Sequence, residues 1–228
     1  MKKIFIACDT TKIAKVKKII KFTEKSKLNI GYKFGLEFFN SKNGRLFLSK
    51  IKRKEIWLDL KLFDIPNTVG SAIASLKDLK NLKYLTIHIS GGLEMMRAAK
   101  IAANKTNKKL KIIGVTVLTS FSSKSLKKIG HTKTIKKIVS IQAKLAKAAK
   151  LNGIVCSGHE VQAVKKICKG MEIITPGIRL LGDSRQDQKR VMDPLKAFSI
   201  GATSIVMGRS ITKGNIKNNI QKLIKSLN

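Results

Sequence analysis

The sequence predicts an α/β protein, a closed (β/α)8 barrel of the TIM-barrel type that spans residues 1–228 as a single domain. Three observations favour this fold class. Eight short apolar segments recur along the chain, and lysine-rich helical patterns separate them. Several of these segments are continuously apolar, as expected for strands buried on both faces of a parallel sheet. Polar residues stand where the predicted strands end, which is where barrel enzymes place functional groups.

The predicted strands bring polar side chains to their carboxyl ends in chain order. The first strand leads into Asp9, and the second contains Lys33. The third contains Asp59, the fourth contains His88, and the fifth leads to Thr119. Loops that carry glycine and arginine follow the seventh and eighth strands. The predicted strands are residues 3–8, 29–34, 55–60, 84–89, 111–117, 153–156, 172–175 and 204–207.

The segments between the strands show apolar side chains at helical spacing. This pattern predicts helices that pack one apolar face against the sheet. A doubly wound open sheet is the main alternative, but it would usually need fewer strands. The G-x-G-x-x-G fingerprint of that fold is absent after the first strand. The clearest helical segments are residues 12–25, 134–150, 161–168 and 216–227.

The composition is that of an ordinary globular protein, with 43% hydrophobic and 27% charged residues. Lysines interrupt every apolar run, so no transmembrane helix and no membrane partner are expected. The apolar run before Asp9 is too short for a signal peptide. Three cysteines (Cys8, Cys156 and Cys168) at wide spacing suggest a reducing compartment, and we expect a cytoplasmic location.

The net charge is +35, from 48 basic and 13 acidic residues, and only seven of the basic residues are arginine. The lysines are scattered along the chain, and aromatic residues make up 5%. Nucleic-acid binders usually cluster their charge, use arginine for bidentate contacts and offer aromatic rings for stacking. We therefore expect no specific nucleic-acid partner. Such a surface would still attract a phosphorylated substrate.

The most informative segment is residues 57–69, with the sequence W-L-D-L-K-L-F-D-I-P-N-T-V. Asp59 and Lys61 are two residues apart on a predicted strand, so their side chains point to the same side. In a barrel this side is the interior, where charged side chains are costly unless they are paired. Asp64 follows in the loop and could reach the same lysine or reach across an interface. The alternative interpretation of Asp59 and Lys61 is a structural ion pair at a strand end.

Two loops at the end of the chain are suited to binding a phosphate group. The first has the sequence P-G-I-R at residues 176–179, and the second has G-R-S at residues 208–210. Glycine lets the backbone approach an anion, and arginine suits bidentate phosphate contacts. Each motif is weak by itself, but barrel enzymes frequently bind phosphate after strands seven and eight.

The run D-L-K-L-F-D-I-P-N-T-V at residues 59–69 resembles the signature of the orotidine 5′-phosphate decarboxylase family. The similarity covers essentially the whole chain. The other matching segments, in chain order, are I-A-C-D (6–9), Y-K-F-G-L-E-F-F (32–39), H-I-S-G-G (88–92), M-M-R-A-A (95–99), G-V-T-V-L-T-S (114–120), T-P-G-I-R (175–179), D-Q-K-R-V (187–191) and M-G-R-S-I-T (207–212).

The resemblance implies an enzyme that converts orotidine 5′-phosphate (OMP) to uridine 5′-phosphate (UMP) and CO2 in pyrimidine biosynthesis, without a cofactor or a metal. Lys61 would protonate C6 of the pyrimidine, and Asp59 would lie beside the substrate carboxylate. Lys33, Asp59, Lys61 and Asp64 would form an alternating array of charges. In this array, Asp64 would come from the second subunit of a homodimer.

The resemblance also implies the substrate-binding residues. Asp9 and Lys33 would hold ribose hydroxyls, and Thr68 would reach the partner's ribose region beside Asp64. Thr119 would contact the pyrimidine ring. The phosphate would be held by Arg179, Gln188, Gly208 and Arg209.

Two other functions compete with this interpretation. Related sugar-phosphate decarboxylases and aldolases share D-x-K-x-x-D, but they use Mg²⁺ and carry a glutamate near the end of strand two. The ammonium of Lys33 in that neighbourhood argues against a cation. The second is a basic nucleic-acid-binding protein that keeps the barrel without its activity, and the intact tetrad argues against it. The loop before Gln188 also departs from the family, since Arg185-Gln186 stands where Ala-Gly is common.

Overall fold

The computed structural model describes residues 2–52, 54–180 and 191–227. Eight parallel strands follow one another in chain order around a closed barrel, and β8 pairs with β1 to complete it. The predicted (β/α)8 barrel is confirmed. The strands are β1 (Lys3–Ala7), β2 (Asn29–Gly35), β3 (Ile56–Leu62), β4 (Leu82–His88), β5 (Lys111–Val115), β6 (Gly153–Val155), β7 (Glu172–Thr175) and β8 (Ser204–Met207).

Helices surround the barrel and bury their apolar faces against it. In α7, for example, Ile138, Val139, Ala143 and Ala146 are buried, whereas the lysines of the same helix are exposed. Within the described ranges, no helix combines the length and apolar character that crossing a membrane requires. The α-helices are α1 (Ile13–Thr23), α2 (Leu36–Phe39), α3 (Gly44–Lys50), α4 (Pro66–Ala74), α5 (Gly92–Thr106), α6 (Ser123–Lys128), α7 (Ile135–Ala148), α8 (Val161–Ile167), α9 (Pro194–Ser199), α10 (Arg209–Thr212) and α11 (Ile216–Leu227).

All predicted strand bounds agree with the structure to within two residues. The largest differences concern β3, which continues to Leu62, β4, which begins at Leu82, and β5, which ends at Val115. Lys83 interrupts the apolar pattern, so the pattern predicts a start for β4 at residue 84 rather than at Leu82. The extension of β3 results from an irregular pairing with β4, which the apolar pattern does not reveal.

Large side chains fill the interior of the barrel. Phe5 packs edge-to-face on Trp57 and Tyr84, with ring centroids 4.8 Å and 5.0 Å apart. At the amino end of the barrel, Lys3 lies 2.5 Å from the Glu55 carboxylate and donates a hydrogen bond to the Tyr84 hydroxyl. This packing closes the amino end of the barrel, so its carboxyl end is where a ligand can enter.

Candidate active site

A cavity of about 620 Å³ opens at the carboxyl ends of the strands. Its volume lies in the range typical of small-molecule sites. Its lining combines apolar side chains from inside the barrel, including Trp57, with polar groups from the strand ends. It brings together eight of the residues predicted from the sequence: Asp9, Lys33, Asp59, Lys61, Thr119, Arg179, Gly208 and Arg209.

Four of these residues form a continuous chain of opposite charges across β1, β2 and β3. The Lys33 ammonium lies 3.3 Å from Asp9 Oδ1 and 3.3 Å from Asp59 Oδ2. The other oxygen of Asp59, Oδ1, lies 2.9 Å from Lys61 Nζ. Side-chain exposure is 13% for Asp59 and 35% for Lys61. The Asp59 carboxylate is therefore held inside the wall, whereas the Lys61 ammonium is the more accessible charge.

The array keeps its charges because each buried group has opposite partners. Burial alone would raise the pKa of Asp59, but the ammonium groups of Lys33 and Lys61 outweigh burial and lower it. Burial alone would lower the pKa of Lys33, but the carboxylates of Asp59 and Asp9 outweigh burial and raise it. Both groups are thus ionised at neutral pH.

The backbone at Lys61 departs from regular strand geometry. Between Leu58 and Leu62, β3 advances four residues while β4 advances only two, from Leu85 to Ile87. Lys61 has a φ of 49°, a left-handed conformation that is uncommon for residues other than glycine. Asp59 and Lys61 do meet as the sequence predicts, but a bulge brings them together rather than the simple alternation of a strand.

Two neighbouring side chains border the array without joining it. His88 ends β4, and the Phe63 ring stacks on it with centroids 5.8 Å apart. Burial, and then the Lys61 ammonium, lower the pKa of His88. Burial raises the pKa of the Cys8 thiol to about 12. Both groups are therefore neutral at pH 7, and within the described residues neither of them lines the cavity.

The part of the cavity that follows β7 and β8 is basic. Arg179, Gly208 and Arg209 line the cavity together with Lys15 and Thr212. A Cβ added at Gly208 would lie 3.7 Å from the Ala7 side chain, an ordinary contact, so packing of the protein alone does not demand glycine there. Gln188, the remaining predicted phosphate ligand, lies outside the described residues.

The loop between β3 and α4 and the first turn of α4 do not line this cavity in the described part of the chain. Asp64 and Thr68 are exposed, and within the described residues neither lines the cavity of its own chain. The Asp64 carboxylate accepts a hydrogen bond from the backbone N–H of Ile65 at 2.7 Å. Phe63 and Ile65 are 64% and 65% exposed.

Sequence reasoning did not identify three residues at the site. Thr86, on β4, donates a hydrogen bond to Asp59 and accepts one from the Lys61 backbone. Lys15, on α1, and Trp57, on β3, both line the cavity. A threonine or a tryptophan inside an apolar strand and one lysine among many carry no distinguishing pattern.

Comparison with known proteins identifies the family. The family model described as orotidine 5′-phosphate decarboxylase / HUMPS family matches residues 2–222. The chain belongs to this family. The match confirms the resemblance drawn from the sequence motifs and covers every strand of the barrel.

Several relatives in the family are named orotidine 5′-phosphate decarboxylase. The relative from Wolbachia sp. subsp. Brugia malayi (strain TRS) is 45% identical over 199 residues, which cover 86% of each chain. The relative from Fusobacterium nucleatum subsp. nucleatum is 38% identical over 231 residues, which cover 99% of this chain and 95% of that protein.

Solved structures of similar proteins share the same architecture. The orotidine 5′-phosphate decarboxylase of Lactobacillus acidophilus has a TM-score of 0.83 and 29% identity, over 99% of both chains. An uncharacterized conserved protein from Geobacillus kaustophilus has a TM-score of 0.82 and 26% identity, over 99% of this chain and 100% of that one. The family barrel is thus reproduced over essentially the full described chain.

Proposed function

We propose that this protein is an orotidine 5′-phosphate decarboxylase, a carboxy-lyase that converts OMP to UMP and CO2 in pyrimidine biosynthesis. The observation that carries the proposal is the array of Lys33, Asp59 and Lys61 at the inner end of the cavity. Family membership and the names of the relatives support the same reaction.

Lys61 is the catalytic acid in this proposal. Loss of CO2 leaves an electron pair on C6 of the pyrimidine, and without an electron sink the protein must stabilise this carbanion. A fixed ammonium does so without reorganisation during the reaction. At about 4 Å and an effective dielectric constant of about 20, its gross Coulomb attraction is about 4 kcal/mol. The Lys61 ammonium then donates its proton to C6.

Asp59 has two functions in the proposed mechanism. It pairs with Lys33 and Lys61 and helps to hold the Lys33 ammonium in the charged form. It also lies beside the substrate carboxylate, and their repulsion is relieved as neutral CO2 forms. We rank this second effect below the stabilisation of the carbanion.

The remaining residues position the substrate. Asp9 and Lys33 bind ribose hydroxyls, and Thr119 contacts the pyrimidine ring. The phosphate is held by Arg179, Gln188, Gly208 and Arg209. Three of these four line the cavity after β7 and β8, which supports this assignment. Binding energy from the distant phosphate then orients the base against Lys61.

The proposed enzyme is a homodimer with shared sites, in which Asp64 and Thr68 reach the partner's cavity. Both residues are exposed on their own chain, and they lie beside Phe63 and Ile65, whose large apolar side chains are mostly exposed. An interface at this loop would bury that apolar surface and deliver a carboxylate to the partner's Lys61.

Mixing two inactive variants tests the shared site. Chains carrying Lys61→Ala and chains carrying Asp64→Ala should each be inactive alone. Hybrid dimers should recover part of the activity, because one of their two sites contains both side chains. No recovery, despite demonstrated subunit exchange, would refute the assignment of Asp64 to the partner's site.

We propose a cytoplasmic enzyme that works without a cofactor and whose residues 1–228 act as one domain. All three cysteines are buried in the barrel and its helices, which suits a reducing compartment.

The decisive assay for the reaction is the loss of the orotate ultraviolet absorbance from OMP in the presence of a chelator. We expect rapid loss that is unaffected by the chelator, with UMP as the product. A folded protein that leaves OMP unchanged but acts on a sugar phosphate when Mg²⁺ is added would overturn the proposal in favour of the related sugar-phosphate chemistry.

A further inference from the structure

One hydroxyl connects the two central residues of the array. Thr86 is fully buried on β4. Its Oγ1 donates a hydrogen bond to Asp59 Oδ1 at 3.0 Å and accepts one from the backbone N–H of Lys61 at 2.9 Å. It therefore contacts both the carboxylate that pairs with the Lys61 ammonium and the backbone that carries the Lys61 side chain.

The direction of both hydrogen bonds is fixed by chemistry. An ionised carboxylate can only accept and a backbone N–H can only donate. The single hydroxyl proton of Thr86 must therefore point to Asp59, which leaves an oxygen lone pair for the Lys61 N–H. A small hydroxyl side chain, threonine or serine, can make both hydrogen bonds through one oxygen atom, because a hydroxyl both donates and accepts.

The bulge in β3 explains why the Lys61 backbone depends on a side chain. Between Leu58 and Leu62 the register with β4 shifts, and Lys61 takes a φ of 49°. A conformation of this kind is strained and persists only where its surroundings hold it. Here the Thr86 hydroxyl accepts the hydrogen bond of the Lys61 N–H within the shifted ladder.

Thr86 also completes the set of donors around Asp59. Oδ2 faces the Lys33 ammonium, whereas Oδ1 receives both Lys61 Nζ and the Thr86 hydroxyl. The neutral hydroxyl fixes the rotation of the carboxylate without adding a charge. A rotated carboxylate would pull the Lys61 ammonium with it, away from the cavity.

We propose that Thr86 is a positioning residue for decarboxylation, which sets the position of the Lys61 ammonium through the Asp59 carboxylate and the Lys61 backbone. This inference rests on the proposed function, in which Lys61 is the proton donor. Its effect belongs to the chemical step, because within the described residues Thr86 does not line the substrate cavity.

A comparison of Thr86→Ser with Thr86→Ala isolates the hydroxyl, since both variants lose the same methyl group. We expect Thr86→Ala to lower kcat by about 100-fold, the size of effect that a displacement near 1 Å can have. KM should change by less than about threefold, because the substrate contacts remain. Thr86→Ser should keep kcat within about threefold of the wild type, as expected if the hydroxyl is what positions Lys61.

Thr116→Val is the matched control. Thr116 is also a buried threonine, and its hydroxyl donates to the Val155 carbonyl at 2.9 Å, away from the array. This variant loses a buried hydrogen bond and should keep kcat within about threefold of the wild type, since such a loss affects stability. Equal kcat values for Thr86→Ser and Thr86→Ala would overturn the proposal, as would equal losses in Thr86→Ala and Thr116→Val.

Two further measurements separate this proposal from the proposed function. If the wild type does not decarboxylate OMP, or if Lys61→Ala retains activity, the proposed function fails. If Lys61→Ala is inactive while Thr86→Ala matches the wild type, only the role of Thr86 fails. Should Thr86→Ala not fold, Thr86→Val fills the same space without a hydroxyl, and its kcat is compared with that of Thr86→Ser.

Discussion

At the scale of the residue, the site depends on one carboxylate that faces two ammonium groups. Asp59 is nearly buried, and burial opposes its charge. The opposing effect of Lys33 and Lys61 is larger, so Asp59 remains ionised where an isolated buried carboxyl would take up a proton. The Lys61 side chain therefore faces an ionised carboxylate, which holds it in place at the cavity.

This balance predicts how stability depends on pH. Because the folded-state pKa of Asp59 is lowered, its contribution is present above the unfolded-state value and is lost as pH falls through the folded value. The difference in unfolding free energy between the wild type and Asp59→Asn should stay constant from about pH 8 to about pH 5 and change only below about pH 4. Chemical denaturation at each pH measures this difference. A change that begins between pH 5 and pH 6 would mean that the effect of burial on the pKa of Asp59 is larger than the effect of Lys33 and Lys61.

At the scale of the element, the inward side chains of the strands support the floor of the cavity. Trp57 on β3 contacts Phe5 edge-to-face and also lines the cavity. Its indole Nε1 is buried without a hydrogen-bond partner in the described part of the chain. The ring therefore stabilises the barrel through packing, and the indole N–H adds no compensating bond.

Replacing Trp57 separates these two contributions. Trp57→Ala should destabilise the fold by about 3–5 kcal/mol, because it leaves a cavity inside the barrel. Trp57→Phe should cost much less than this, since it keeps an aromatic ring and removes an unsatisfied donor. Denaturation followed by circular dichroism measures both. Equal costs for the two variants would show that the indole N–H contributes more than the packing.

The sequence was informative about elements where a pattern repeats locally. Apolar runs identified all eight strands, and the spacing of Asp59 and Lys61 placed both on the inner face of β3. It did not reveal the bulge at Lys61, because register depends on the pairing of β3 with β4. For the same reason Thr86 escaped notice: its importance comes from a contact with residues 25 and 27 positions away.

At the scale of the whole molecule, the charge of +35 surrounds a site that binds a phosphorylated substrate in our proposal. Scattered lysines create a positive field that speeds the encounter with an anion. Lys15 differs from most of these lysines because it lines the cavity. Lys18, one turn along α1, is exposed and is not among the described residues that line the cavity.

This arrangement predicts a salt dependence confined to substrate capture. Raising NaCl from about 20 mM to about 300 mM should lower kcat/KM for OMP at least about threefold and leave kcat unchanged, since salt screens exposed charges. Lys15→Gln should lower kcat/KM more than Lys18→Gln does. Steady-state kinetics at both salt concentrations measure these effects. Equal values for the two variants would place Lys15 outside the path of the substrate.

In the proposed mechanism, the Lys61 ammonium, held by Asp59, stabilises the carbanion and donates its proton to C6. The most direct measurement is kcat for OMP in Lys61→Met, which removes the charge but keeps a side chain of similar length, with Lys18→Met as the matched control. We predict a loss of at least about 1000-fold in Lys61→Met, the upper range for removing one preorganised group. Lys18→Met should match the wild type, and thermal unfolding should show that both variants are folded. A folded Lys61→Met enzyme with kcat within about tenfold of the wild type would contradict the account, because another group would then stabilise the carbanion.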